Sequence, residues 1–441
     1  MRRRPGGQRR ARARPRAPPT WWPAASSNSD HEQAGELGGA GDLVTPSTSR
    51  AATRSTPRVA RSVASKISDS PSKSVQRPSG LLSSGERDLR AAGWSEVRAS
   101  LLAMLAEAIE VSSAACDRLA TQIREHAVPI DREESRLPDL DRNDIGNFYL
   151  ALVAICHQTS PQNRPALEGV VGGRHLRGWD YLSARFEQAV SSDPQLLFPE
   201  RWRTVSAYDV AELFRDTQFG ERLTDPGGRA KLIQNLGDVM KQHGCHRIDE
   251  LYRASDCRLA SGHSPLIPAL SKFRAYDDPV RKKTYFFLAL MQNSSVWEYA
   301  DPQNLGPPVD YHEVRGHLRI GTVIIRDPSL RSKLLARESV SADEDVAIRS
   351  AVSQVLLYLS QATGLKNASR LHYLLWNIFR SCCTRDEPHC FACPSTCSLP
   401  PRYVAALHSK SVARACPYAA ICTSSGRSTK LTEHVFETDY Y

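Results

Sequence analysis

The chain has 441 residues, a length that suits two domains and a tail, and no run of eighteen apolar residues, which argues against a membrane span. Seven of its eleven cysteines lie between Cys382 and Cys422, and no apolar signal-peptide core precedes them, so the usage points to a reducing intracellular setting rather than a secreted disulfide framework. Residues 1–80 hold 15 Arg or Lys against 5 Asp or Glu, which accounts for the whole formal charge of +10, so net charge gives no sign of a basic groove in the rest.

Residues 1–82 are rich in Arg, Pro, Ser, Ala and Gly without an apolar period, and disorder is predicted there. The first 29 carry eight arginines and no acid, which suits either a basic arm for phosphates or a targeting presequence. Residues 83–139 are expected to form N-terminal helices, with Val97, Leu101, Met104, Leu105 and Ala108 as one stripe. A helical domain is predicted over 140–305. Its first stripe is Ile145, Phe148, Tyr149, Leu152 and Ile155, ending at Cys156-His157-Gln158-Thr159-Ser160. Trp179 could stack on a base or fill the core. Asp225-Pro-Gly-Gly228 and Gly306-Pro-Pro308 read as breaks between elements. Asp278 reads as an N-cap with Pro279 as the first helical residue, which puts Lys282 and Lys283 on a solvated first turn.

A further domain is predicted over 306–422. Asp310, with Glu313 three residues on, reads as a capping pair, Gly321 to Ile325 as a short strand, and Ser341 with Glu344 as a capping box. That box opens a helix carrying Ile348, Val352, Val355, Leu356 and Leu359. The stripe Leu371, Leu374, Leu375, Ile378 and Phe379 follows and runs into the thiols, and residues 423–441 are read as a tail. The expected fold is mostly α, in two helical lobes with a basic N-terminal tail.

The thiols supply the clearest chemistry. Cys383, Cys390 and Cys393 are spaced C-x6-C-x2-C, and Cys397 follows closely. Cys390 and Cys393 suit a tetrahedral zinc that Cys416 and Cys422 could complete. An iron–sulfur cluster also takes four thiolates from a compact loop after a helix. Unligated thiols are the third possibility.

Order along the chain adds a resemblance. Gln158-Thr159 ends a helix, Val309-Asp310-x-His312-x2-Arg315-x3-Arg319-x-Gly321 starts another, and an amphipathic helix then leads into C-x6-C-x2-C. Over roughly residues 140–400 this resembles the helix-hairpin-helix DNA glycosylase superfamily, and most of all its endonuclease III type with an iron–sulfur cluster loop. The resemblance implies a helical barrel-like domain and a cluster domain. By it Asp310 is the catalytic aspartate, with His312 and Arg315 beside it, Gln158 fills the gap left by an extruded base, and Thr159, His312 and Arg315 contact the nucleic acid. It also makes Cys383, Cys390 and Cys393 ligands of a [4Fe–4S] cluster, with zinc as the alternative. Leu399 stands where the family has its fourth cysteine, so Cys397, Cys416 or Cys422 would take that place. Lys283-Thr284 matches the Lys-Thr that opens the family's second hairpin helix, where lysine can act as a nucleophile, and Lys282 would then contact nucleic acid.

The expected activity is N-glycosidic cleavage of an extruded DNA base, with AP-lyase action if Lys283 forms a Schiff base. The family's hairpin glycines are missing, since no glycine occurs between Gly262 and Gly306. That departure keeps two other functions open: a non-catalytic iron–sulfur protein that binds nucleic acid, and an N-glycosylase for a nucleoside or an RNA base.

Overall fold

The computed structural model describes residues 107–126, 137–161, 164–365, 367–393, 399–408, 415–428 and 430–441, all of them within one compact unit. The predicted 1–82 tail, most of the Val97–Ala108 stripe and Cys397 lie outside the described residues.

The protein is mostly helical. Strand β1 (Ile109–Val111) leads into α1 (Ser113–His126), and α2 (Ile145–Ala154) follows. A hairpin of β2 (Glu168–Val171) and β3 (Arg174–Arg177) runs directly into α3 (Gly178–Ser192). Then come α4 (Pro199–Trp202), α5 (Ala207–Leu213), α6 (Pro226–Gln242), α7 (Ile248–Ala254) and α8 (Leu266–Leu270). Helices α9 (Lys282–Asn293) and α10 (Tyr311–Ile320) precede β4 (Val323–Ile325) and α11 (Pro328–Ala336). The long α12 (Ala342–Ala362), α13 (Ala368–Ser381) and α14 (Pro401–His408) complete the order. Among the described residues no helix is long and apolar enough to cross a membrane.

Buried apolar side chains fall into two clusters. One runs from Ile145 to Leu305 around α2, whose ten residues are all buried, so that the helix is enclosed on every side. The other joins Ile109, α1, Val280, α10, α12, α13 and Leu431. Val280 therefore carries the loop before α9 into the second cluster, and the two cores meet close to that loop.

Several local expectations change. The strand expected near Gly321–Ile325 is β4, and it pairs antiparallel with β1, which the helical stripe ending at Ala108 had concealed. The β2–β3 hairpin was missed altogether. Its signal is Gly172-Gly173, a two-residue turn with φ of +57° and +74° between β-branched and polar residues. The Asp225-Pro-Gly-Gly segment opens α6 rather than separating elements, since the Asp225 side chain accepts the Gly228 N–H. The Ser341–Glu344 capping box is present in full. At α10 only half of the predicted pair caps: Asp310 accepts two N–H groups, while the Glu313 side chain points into the core.

The helix predicted from Pro279 begins at Lys282 instead. Arg281 is its N-cap in the left-handed region, at φ +61°. Asp278 still does capping work from four residues upstream, accepting the N–H groups of Val280 (3.1 Å) and Lys282 (2.8 Å). Amides at a helix start are a ready site for a phosphate. Here the protein's own carboxylate occupies two of them, and Arg349 holds that carboxylate in turn, at 2.8 and 3.0 Å.

Candidate active site and thiol loop

A cavity of about 510 Å³ opens where the exit of α2, the start of α3, α9, α10, α13 and segment 430–441 converge. Gln158, Thr159, Lys282, Asp310, His312 and Arg315 all line it.

Asp310 is the best-determined group. Its Oδ1 accepts the N–H groups of His312 (2.8 Å) and Glu313 (3.3 Å), and its Oδ2 accepts the indole N–H of Trp376 (2.8 Å). Burial raises its pKa above the usual carboxylate range, against the opposing pull of the Lys282 charge and the Trp376 bond. His312 Nδ1 accepts from Arg315 Nη2 at 2.7 Å, which leaves the imidazole proton on Nε2. Burial, then the charges of Arg315 and Arg380, keep that ring neutral by holding its pKa well below the ordinary histidine value. Arg315 also donates to the Cys383 carbonyl (2.7 Å) and to Glu433 Oε2 (2.8 Å), so one guanidinium ties the cavity to the thiol loop. Burial alone would raise the Glu433 carboxyl, but Arg315 and Arg385 bring it below its usual range.

The two lysines have distinct places. Lys282 lines the cavity with its Nζ 5.0 Å over the Phe286 ring. Lys283 is fully buried outside the cavity; its ammonium donates to the Ala154 carbonyl and lies 3.4 Å from His157 Nδ1. Burial lowers the Lys283 pKa to about 7. Arg229, also buried, donates to the carbonyls of Ile155 and His157. These two cations satisfy the carbonyls at the end of α2 and complement its dipole. Lys282, and not the buried Lys283, faces the cavity. One step along a helix turns a side chain by about 100°, and sequence spacing could not choose between adjacent lysines.

Gln158 has φ +48°, a costly conformation for a residue other than glycine. Its N–H donates to the Tyr441 carbonyl (3.3 Å) and its Nε2 to the Thr438 carbonyl (3.0 Å). Segment 430–441, read from sequence as a tail, therefore forms a wall of the cavity, and nothing in its composition had marked Glu433, His434 or Tyr441. Trp376 was also missed, although it lies on the predicted α13 helix two positions from Leu374.

At the thiol loop, Arg319 Nη1 donates to Cys383 Sγ at 3.3 Å, and the Cys422 thiol donates to the Arg319 carbonyl at 3.2 Å. The Cys416 N–H donates to the Cys390 carbonyl at 3.2 Å. Burial first, then Cys383, Cys390 and Cys422, push the Cys416 thiol up to about 12. None of the described cysteines is in a disulfide. Among the described residues no three His, Cys, Asp or Glu side chains are arranged as a metal site. Arg319 and the backbone N–H groups of Tyr418, Ser424 and Ser425 offer donors to these sulfurs, but burial and the neighbouring thiols outweigh them at Cys416 and Cys422, whose thiols both titrate high. Cys393, between Cys390 and Cys416 in sequence, is partly buried.

The chain matches no family model, and no curated protein matches it.

Proposed function

We propose that the protein hydrolyses an N-glycosidic bond of nucleic acid, with DNA as the first candidate substrate, on an architecture of the helix-hairpin-helix glycosylase kind: a helical barrel-like part and an iron–sulfur part, working inside the cell. One observation carries this reading: a single cavity gathers Gln158-Thr159, Lys282 and Asp310, which reach it from three separate stretches of chain. Its volume of about 510 Å³ falls in the range of roughly 300–1,000 Å³ usual for small-molecule sites. Trp179, Tyr373 and Trp376 supply aromatic walls for an extruded base.

The cationic sugar that forms as a base departs is stabilised by a carboxylate held beside it. Asp310 fills that role because three N–H groups fix its oxygens. Lys282 is the amine available for attack at the sugar carbon, which would give a Schiff base and strand cleavage. The test is incubation with single- and double-stranded oligonucleotides carrying a panel of lesions, and with free nucleosides, scoring base release and then nicking. Lys282→Gln is expected to abolish borohydride trapping. Lys283→Gln is expected to keep it while lowering stability by about 1–3 kcal/mol, since it strips a donor from buried carbonyls. No release from any probe overturns the glycosylase reading and leaves the non-catalytic binding protein.

A second reading, for a nucleoside or an unpaired RNA base, is favoured by one observation. Two of the amides at the start of α9, those of Val280 and Lys282, are already taken by Asp278, so a duplex phosphate finds fewer donors there.

Cys383 and Cys390 with Cys416 and Cys422, or with Cys393 and Cys397 in the family spacing, would hold a [4Fe–4S] cluster, which when bound braces the loop that Arg315 and Arg319 grip. Anaerobically purified protein should be brown and contain iron and acid-labile sulfide. If the later thiols complete the site, Cys416→Ser and Cys422→Ser lose iron while Cys397→Ser keeps it; the reverse pattern restores the family ligand set, and stoichiometric zinc in colourless protein removes the cluster.

A further inference from the structure

Asp180 stands in the first turn of α3 and lines the same cavity as Asp310. Acids in that helical position are common because they complement the helix dipole, and as such they call for no special role. Asp180 differs in its surroundings. Among the described residues it accepts no hydrogen bond and forms no ion pair, and only the more distant charges of Arg380 and Arg174 act on it.

Its neighbours set its place in the cavity. Trp179 packs edge-on against Phe286, with ring centres 4.9 Å apart, and Phe286 carries the Lys282 ammonium above its face. On the other side Arg380 lies 5.0 Å over the Trp376 ring, and Trp376 holds Asp310. Asp180 lines the cavity that Lys282 and Asp310 share, within reach of the Arg380 charge. Burial raises its pKa to about 6, so that close to neutral pH it can carry a proton. Burial raises the Asp310 pKa as well, but there three N–H donors aimed at its oxygens oppose the shift and favour the carboxylate, a support that Asp180 lacks. Two carboxyl groups in one site, one unpartnered and one held as an acceptor, form the arrangement that separates an acid from an anion.

We propose that Asp180 is the general acid of the glycosidic cleavage, delivering a proton to the departing base while Asp310 stabilises the cationic sugar. The proposal rests on the N-glycosidase reading. As the bond between C1′ and the base nitrogen breaks, its electron pair goes to the base, which takes the Asp180 proton; Asp180 becomes a carboxylate. Water then adds to C1′, and the proton it gives up returns to Asp180, so that the net reaction consumes one water and releases the neutral base.

The test compares departing bases. Uracil and adenine leave as neutral molecules only if protonated, whereas 7-methylguanine is already cationic in the substrate and needs no acid. With oligonucleotides carrying each, Asp180→Asn should lose about 10²-fold or more in single-turnover release of uracil or adenine. It should stay within a few-fold of wild type on 7-methylguanine. Wild-type release of the neutral bases should fall as pH rises above about 6, where the acid form disappears, and the variant should lack that fall. An equal loss on both kinds of base, or a lower melting temperature that accounts for the loss, makes Asp180 structural and overturns the proposal, as does no loss on a neutral base. Failure of the glycosidase reading looks different: wild type then releases no base from any of the three probes, and both proposals fall together.

Discussion

Asp310→Asn is expected to lower single-turnover base release by about 10²-fold or more, because it removes the negative charge that faces the cationic sugar. The helix start should survive, since asparagine caps nearly as well as aspartate and its carbonyl can keep the His312 and Glu313 N–H groups. The substitution is not silent elsewhere. With its carbonyl on that side, the new amide would point its NH2 at the Trp376 indole N–H, donor against donor, and that bond is lost. A stability cost of about 1–3 kcal/mol is expected from the unpaired donor. Asp310→Ala loses the cap as well and should be the less stable of the two. Full activity in the asparagine variant, with unfolding of the alanine one, would reduce Asp310 to a helix cap.

Arg349→Met should cost about 3–5 kcal/mol at neutral pH, read by urea unfolding. Arg349 is fully buried and bonds both oxygens of Asp278 and of Asp345. Without it two carboxylates are left in the interior. In the wild type, burial would raise Asp345, but bonds from His434 and Arg349 hold it at about 2. A depressed folded-state pKa contributes stability that is present above the unfolded value of about 4 and is lost as pH falls through about 2. In the variant the sign reverses: the buried carboxyls keep their other donors but lose the guanidinium, so they titrate higher, and protonation relieves them. The gap between wild type and variant should therefore shrink toward pH 2, and a gap that stays constant with pH would mean the carboxylates are solvated.

What the sequence made legible follows its periodicity. The apolar stripes of α2, α12 and α13 gave those helices because an amphipathic period of 3.6 repeats over several turns. Strand β1 spans three residues and finds its partner more than 200 positions later, so it had no local signature. At the site, Asp310 and Gln158 stood out through motif order. Asp180, Trp376 and Glu433 did not, because their roles depend on tertiary neighbours alone. The choice between Lys282 and Lys283 needed the orientation of α9, and Arg281 in the left-handed region shifted that helix start by three residues from the Asp278-Pro279 expectation.

The wall made by segment 430–441 has a consequence for how the molecule is assembled. Thr438 meets Gln158 across 280 positions, Glu433 meets Arg315 across 118, and His434 meets Asp345 across 89. A ribosome delivers these partners in order, so α2, α9 and α10 are all made long before the strand of chain that encloses the space between them. Closing such long loops costs entropy that no earlier local contact offsets, and contacts of high sequence separation form slowly. The cavity thus takes shape only once residues 430–441 have been made, and a nascent chain halted short of residue 430 carries Gln158, Lys282 and Asp310 yet lacks the segment that walls the space between them.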